Sequence, residues 1–150
     1  MNRDGSIVFA VDTNLLVYAA LRNAPAHERA RRWLDACATG RERWVTTWSV
    51  LYEFLRVTTH RTARSPLPFG EAQAFVAELF RSPSFGVLAE TDRHAAVLAD
   101  LAREHPDLGG NVMHDLHTVA LMREHGVREV HTADKDLRRF RELRVVNPLV

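Results

Sequence analysis

Residues 9–19, FAVDTNLLVYA, decide the fold and pose a chemical problem. Ile7, Val8, Phe9, Ala10 and Val11 form a continuous apolar run, the pattern of a strand covered on both faces, and the run ends on Asp12. An ionised carboxylate does not enter such surroundings without a partner. Something must stand opposite Asp12.

Outward from this stretch, strand and helix patterns alternate. Residues 7–12 predict a buried strand, 14–21 a short helix, and 27–38 an amphipathic helix ending near Gly40. WVTT (44–47) predicts a strand, and SVLYEFLRVTTH (49–60) a helix with apolar Val50, Leu51, Phe54, Leu55 and Val57. RTARSPLPFG (61–70) carries two prolines and a glycine and reads as a loop. Helices at 70–81 and 92–105 flank the strand FGVLA (85–89). After the loop HPDLGG (105–110), Asn111 offers a cap to the helix in VMHDLHTVALMREHG, which Gly126 ends. EVHTA (129–133) predicts a strand, DKDLRRF a turn or short helix, and RVV (144–146) a last strand before Asn147 and Pro148. Parallel strands need crossover helices and lose solvent on both faces, so the expectation is an α/β fold: a three-layer α/β/α sandwich with a mostly parallel central sheet. Without repeats or a separating linker, residues 1–150 are expected to form a single domain.

Composition narrows the class. With 150 residues, 46% hydrophobic and 26% charged, the chain is ordinary for a soluble domain. No apolar run approaches the roughly 18 residues that span a bilayer, and the segment after MNRDGS is too short for a secretory signal, so no membrane role and a cytoplasmic location are expected. The lone Cys37, within RARRWLDACA, forms no internal disulfide and reads as a packing residue. Trp33, Trp44 and Trp48 read as core. A net charge of +1 and a pI of about 8.1 do not mark a nucleic-acid binder. The distribution says more, because arginine supplies nearly all the positive charge. Arg29, Arg31 and Arg32 read as a solvated helix face. Arg56, Arg61 and Arg64, and then Arg138, Arg139, Arg141 and Arg144, each follow an acid and stay candidates for phosphate contact.

The acids form the chemical signal. Ligands of open parallel sheets bind beyond the carboxyl ends of the strands, where Asp12 ends the first strand and Asp134, with Asp136 two residues on, follows EVHTA. Glu53 lies three residues after Val50 and four before Val57, and Asp115 three after Val112 and four before Val119, so each sits beside the apolar face of its helix. Each acid also has a plain structural use: Asp12 as a helix cap, Glu53 at a helix dipole, Asp134 in an Asx-turn, Asp136 in solvent. Asp115, inside a helix, has no cap to fill. Clustered carboxylates repel, and a hard divalent cation such as Mg²⁺ or Mn²⁺ resolves the repulsion; such a metal activates water and stabilises charge on a phosphate.

The series VDTNLLVYA, WSVLYEFLRV, NVMHDLHTVALMREHG, HTADKDLRRF and NPL resembles the PIN-domain ribonucleases, and most closely the VapC toxins of bacterial toxin–antitoxin pairs, over nearly the whole chain. The resemblance implies a Mg²⁺- or Mn²⁺-dependent endoribonuclease whose metal pocket is made by Asp12, Glu53, Asp115 and Asp134. It implies that Asp136 holds a second metal or its water shell, and that Thr13, Asn14 and Thr132 orient the acids. It further implies an RNA substrate, cut by water to leave a 5′-phosphate and a 3′-hydroxyl, a cognate antitoxin whose tail occupies the site, and a homodimer. The apolar segments 27–38 and 49–57 are expected to form a groove for a partner helix.

Other readings compete. His114 and His117 flank Asp115, but without HExxH or a third nitrogen ligand at zinc spacing they read as ordinary helix residues. Asp134-x-Asp136 lacks the glycine and glutamate of an EF-hand. An apolar strand ending DTN also resembles an aspartate-based phosphatase of the haloacid dehalogenase type, yet Asn14 stands where that family carries its second acid. A PIN-like scaffold that binds RNA or protein without cutting is the third reading.

Overall fold

The computed structural model describes residues 8–150. Ile7, the first residue of the expected strand, and the MNRDGS segment lie outside the described residues. The elements are β1 (Val8–Val11), α1 (Thr13–Ala20), α2 (His27–Thr39), β2 (Arg43–Thr47), α3 (Trp48–Thr59), α4 (Phe69–Leu79), β3 (Phe85–Leu88), α5 (His94–Glu104), α6 (Val112–Glu124), β4 (Glu129–His131), a 3₁₀ turn (Asp136–Arg139) and β5 (Arg144–Val146). The five strands form one sheet in the order β3-β2-β1-β4-β5, and every pairing is parallel.

The apolar run at the N-terminus lies at the centre of this sheet. Successive side chains of a strand face opposite ways, and β1 uses both faces. Phe9 and Val11 pack with Leu15, Leu16, Leu34, Val50, Leu51, Phe54 and Val76, which belong to α1 through α4. Ala10, with Val45 and Val130, packs against Val97 and Leu101 of α5 and Leu116, Val119 and Met122 of α6. The result is the expected three-layer α/β/α arrangement, four helices on one face and two on the other. The chain moves outward from β1 to β2 and β3, then returns across the second face to lay β4 on the other side of β1. That reversal of strand order between β1 and β4 marks the edge at which open α/β sheets bind their ligands.

Several local expectations are corrected. β4 stops at His131, short of Ala133, because side chains replace the ladder: the Ala133 amide donates to Asn14 Oδ1 and the Asp134 amide to Thr132 Oγ1, each at 3.0 Å. Asn111 occupies the cap position of α6 without a side-chain cap bond. Trp44 is fully buried, with Nε1 donating to Ser84 Oγ at 3.1 Å, and Trp33 is partly buried, but Trp48 is 51% exposed and stacks on Phe80. The first turn of α3 turns Trp48 away from the core that Val50, Leu51 and Phe54 fill. α1 packs on both α2 and α3, the segments expected to flank a partner groove. A cavity of about 250 Å³ lies between α2 and α4, lined by Leu34, Ala38, Phe75 and Leu79.

Thr47, buried at the end of β2, ties two helices together. Its hydroxyl accepts from the Val50 amide at 3.2 Å, capping α3, and meets Thr118 Oγ1 of α6 at 3.1 Å in the buried interior. Thr47→Val removes the cap and leaves the Thr118 hydroxyl without its partner, at a cost of about 2–3 kcal/mol. Urea unfolding measures it, and Thr47→Val/Thr118→Val is expected to recover part of the loss. A single-variant cost near zero contradicts the buried pair.

Candidate active site

Asp12 sits where β1 ends and α1 begins. Its amide completes the β1–β4 ladder by donating to His131 O at 3.0 Å, and its carboxylate Oδ1 accepts from the Thr13 amide at 2.8 Å as the cap of α1. The capping role therefore holds, and it occupies only one side of one oxygen. Oδ2 accepts from Thr132 Oγ1 at 2.8 Å and, more weakly, from Asn14 Nδ2 at 3.5 Å.

Thr132 is the pivot of this arrangement. Its hydroxyl donates to Asp12 and accepts from Asn14 Nδ2 and the Asp134 amide, both at 3.0 Å, which fills its one donor and two acceptor sites. Buried Thr132 thus fixes two acids from two strands at once. Asn14 closes the circuit, its Oδ1 accepting from the Ala133 amide. Asp134 Oδ1 accepts from the Asp136 amide at 3.0 Å, the Asx-turn anticipated for it. Thr13 is buried with a hydroxyl that has no hydrogen-bond partner among the described residues.

Glu53 and Asp115 approach from α3 and α6, which lie on opposite faces of the sheet. Their proximity shows in the electrostatics. Burial is the largest influence on Asp115, and the charges of Asp12, Glu53, Asp134 and Asp136 add to it, so its carboxyl is pushed up to about 7. Burial likewise raises Asp12, with Glu53 and Asp134 contributing, against hydrogen bonds from Thr13 and Thr132 that favour the ion. Four acids named from their sequence positions, and Asp136 with them, therefore feel one another across the rim. All donors are oxygens, the Thr132 bond favours an ionised Asp12, and the remaining repulsion calls for positive charge. The set fits a hard divalent cation.

The arginines divide. Arg56, Arg61, Arg64, Arg138 and Arg139 are all exposed. Arg56 and Arg64 line a cavity of about 340 Å³ at the C-terminal ends of α1 and α3, with His60 and Ser65. Arg139 gives its Nε–H to Asp136 O and lines a cavity of about 770 Å³ with Arg123, Arg128 and Leu143, where β4 and β5 begin. That is the end of the sheet away from Asp134. Cys37 is partly buried, and burial pushes its thiol up to about 12, which leaves it the packing role assigned to it.

The histidine pair reads differently in three dimensions. His114 is exposed, while His117 turns toward Glu90 and His94. Among the described residues, these three are the group whose ligand atoms lie within 4.8 Å of one another. His114 and His117 both read as ordinary helix residues in sequence, without His94, which packing of α5 on α6 brings in from 23 residues upstream of His117.

Comparison with known proteins agrees with the architecture. The family model described as PIN domain matches residues 9–143. Ribonuclease VapC33 of Mycobacterium tuberculosis is 34% identical over 142 residues, covering 92% of this chain and 96% of the relative, and Ribonuclease VapC37 of the same organism is 34% identical over 139 residues, covering 92% and 95%. Among solved structures, VapBC2 from Rickettsia felis, bound to a DNA fragment from its promoter, superposes with a TM-score of 0.67 at 14% identity, covering 94% of this chain and 98% of that one. Mycobacterium tuberculosis VapC20, described as a sarcin–ricin loop cleaving toxin, superposes with a TM-score of 0.64 at 20% identity, covering 89% and 94%. With a central strand ending on a held carboxylate, acids delivered from three further elements, and a match over most of its length, the chain belongs to the PIN-domain family and stands among its VapC relatives.

Proposed function

We propose that the protein is a metal-dependent endoribonuclease, the toxin of a toxin–antitoxin pair, with Asp12, Glu53, Asp115 and Asp134 as its metal-holding catalytic acids. The observation that carries this reading is the single Thr132 hydroxyl that bonds both the Asp12 carboxylate and the Asp134 backbone amide, at a rim where Asp115 feels the charges of Asp12, Glu53 and Asp134. A bound Mg²⁺ or Mn²⁺ supplies a Lewis acid that activates water and neutralises charge on the scissile phosphate. The chain's own residues position and charge the site. Thr132 and the Thr13 amide favour the ionised form of Asp12 against burial, Asn14 helps to fix it, and Asp136 adds negative charge at the edge, where it contributes to the metal or its water shell. Arg56, Arg61, Arg64 and Arg138 offer phosphate contacts along the exposed surface, Arg56 and Arg64 from the far ends of the helices that start at the rim, whereas Arg139 lies where β4 and β5 begin.

The names of the VapC relatives support RNA as the substrate, and the toxin–antitoxin complexes among the structural neighbours support an antitoxin partner. An exposed aromatic cluster of Trp48, Tyr52 and Phe80 supports a protein interface, such as that of a homodimer. One shared sheet through the described residues supports treating 1–150 as one domain. Among those residues no helix is long and apolar enough to cross a membrane, which is consistent with the cytoplasmic location we assign. The aspartate-based phosphatase is disfavoured, since Asn14, the residue in place of a second acid, is used to hold the loop after β4. The non-cutting scaffold is disfavoured by retention of every rim acid.

Asp12→Asn keeps the cap on α1 but removes the charge. It is expected to abolish Mn²⁺-dependent cleavage of total cellular RNA and growth arrest on expression, with an unchanged circular dichroism spectrum. Cleavage at the wild-type rate by folded Asp12→Asn overturns the catalytic assignment.

Asp115 gives the site a pH signature. It must ionise to face a cation, so Mg²⁺ affinity is expected to rise with pH up to about 7 and level off above it. In chelator the sign of the stability effect is opposite. The unfolded chain releases the Asp115 proton near 3.8 and the folded chain near 7, so the folded form binds more protons in that window and loses stability as pH rises through it. Stability of wild type relative to Asp115→Asn, measured by denaturant unfolding in chelator, is expected to fall from pH 4 to 7. A difference that is flat or rises contradicts the crowding of the rim.

A further inference from the structure

From Glu90, His94 and His117 we infer a second cation site, distinct from the rim acids, that takes a borderline transition metal such as Zn²⁺. Glu90 follows β3, His94 opens α5 and His117 lies on α6, and one ligand atom from each falls within 4.8 Å of the others. Two imidazoles and a carboxylate from three elements match the ligand types of Zn²⁺ and its neighbours, whereas Mg²⁺ prefers oxygen alone.

The surroundings of the two rings distinguish this group from a chance meeting of side chains. Metal-ligating histidines have their other nitrogen held by a polar partner. His94 Nδ1–H donates to Glu124 Oε2 at 2.6 Å, and that carboxylate is buried completely. Glu124 Oε1 is held in turn by the Thr91 amide and hydroxyl, both at 2.8 Å. Burial works against the Glu124 charge, but the bonds from His94 and Thr91 outweigh it and keep the carboxyl below its ordinary range. This fixes the His94 ring and leaves Nε2 as its free nitrogen. On the other side, His117 Nδ1 meets Ser49 Oγ of α3, and Nε2 meets Glu90 Oε1 at 2.7 Å. The rings stand edge to face, with centroids 5.6 Å apart. A cation takes the place of the proton between His117 Nε2 and Glu90, and the Nδ1 proton then lies toward Ser49.

Access and consequence follow from the placement. The Glu90 side chain is 52% exposed and gives a route from solvent. With three protein ligands, the ion keeps a position for water or a further ligand. Its ligands and their supports span the β3–α5 connection, α6 and the first turn of α3, so occupancy braces the two helices that carry Glu53 and Asp115. The site stands whether or not the rim acids cut RNA.

The test is titration with Co²⁺ and Zn²⁺ alone, by visible absorption and calorimetry, on the whole chain carrying Asp12→Asn/Asp134→Asn to disable the rim. One equivalent of Co²⁺ is expected to bind with the absorption bands of nitrogen and oxygen ligands, resist excess Mg²⁺ and raise the melting temperature. His94→Gln is expected to abolish the bands. Glu90→Gln, at an exposed position that does not threaten folding, is expected to weaken binding about tenfold or more. Absence of Co²⁺ and Zn²⁺ binding in the folded rim-disabled chain overturns the inference. Binding that Glu90→Gln and His94→Gln leave unchanged overturns it as well.

Discussion

Mutual repulsion among carboxylates at one end of a parallel sheet is the constraint on which the site depends. Asp12 and Asp134 arrive there because β1 and β4 are neighbours that run the same way, and Glu53 and Asp115 because helices on both faces begin at that end. Burial raises the carboxyls of Asp12 and Asp115, and the charges of their neighbours add to it. The fold answers with one threonine hydroxyl, one asparagine amide and two backbone amides aimed at the acids, an arrangement that holds the ions in place while leaving net negative charge for a cation to complete.

Two buried threonines express the same economy of means. Thr132 joins the ends of two strands, and Thr47 joins α3 to α6 through Thr118. Each hydroxyl accepts from a backbone amide just beyond its strand, where the ladder gives out and orphan groups need partners. The helices bearing Glu53 and Asp115 are consequently referenced to each other at the start of α3, by Thr47–Thr118 and by Ser49–His117. Helix positions that set the rim geometry are thus tied to buried or half-buried polar contacts as well as to apolar packing.

Much of this was legible in the sequence, for identifiable reasons. The run ending on Asp12 carries its own strand signal, and Glu53 and Asp115 sit at helical spacing from apolar neighbours, so their inward lean follows from the 3.6-residue period. What escaped depends on contacts between distant elements. β4 looks longer in sequence than it is, because nothing local reveals that Asn14 captures the Ala133 amide. Trp48 looks like core until Thr47 sets the angle at which α3 starts. The nearness of His94 and Glu90 to His117 arises from the packing of α5 on α6, which spacing along one helix cannot disclose.

The most direct measurement of the central claim is a crystal structure of the protein grown with Mn²⁺ and examined for anomalous scattering at the rim. The account predicts a peak bounded by the carboxylates of Asp12, Asp115 and Asp134, lost in Asp12→Asn. A well-ordered rim with no peak in saturating Mn²⁺, its acids in the positions described, would contradict it.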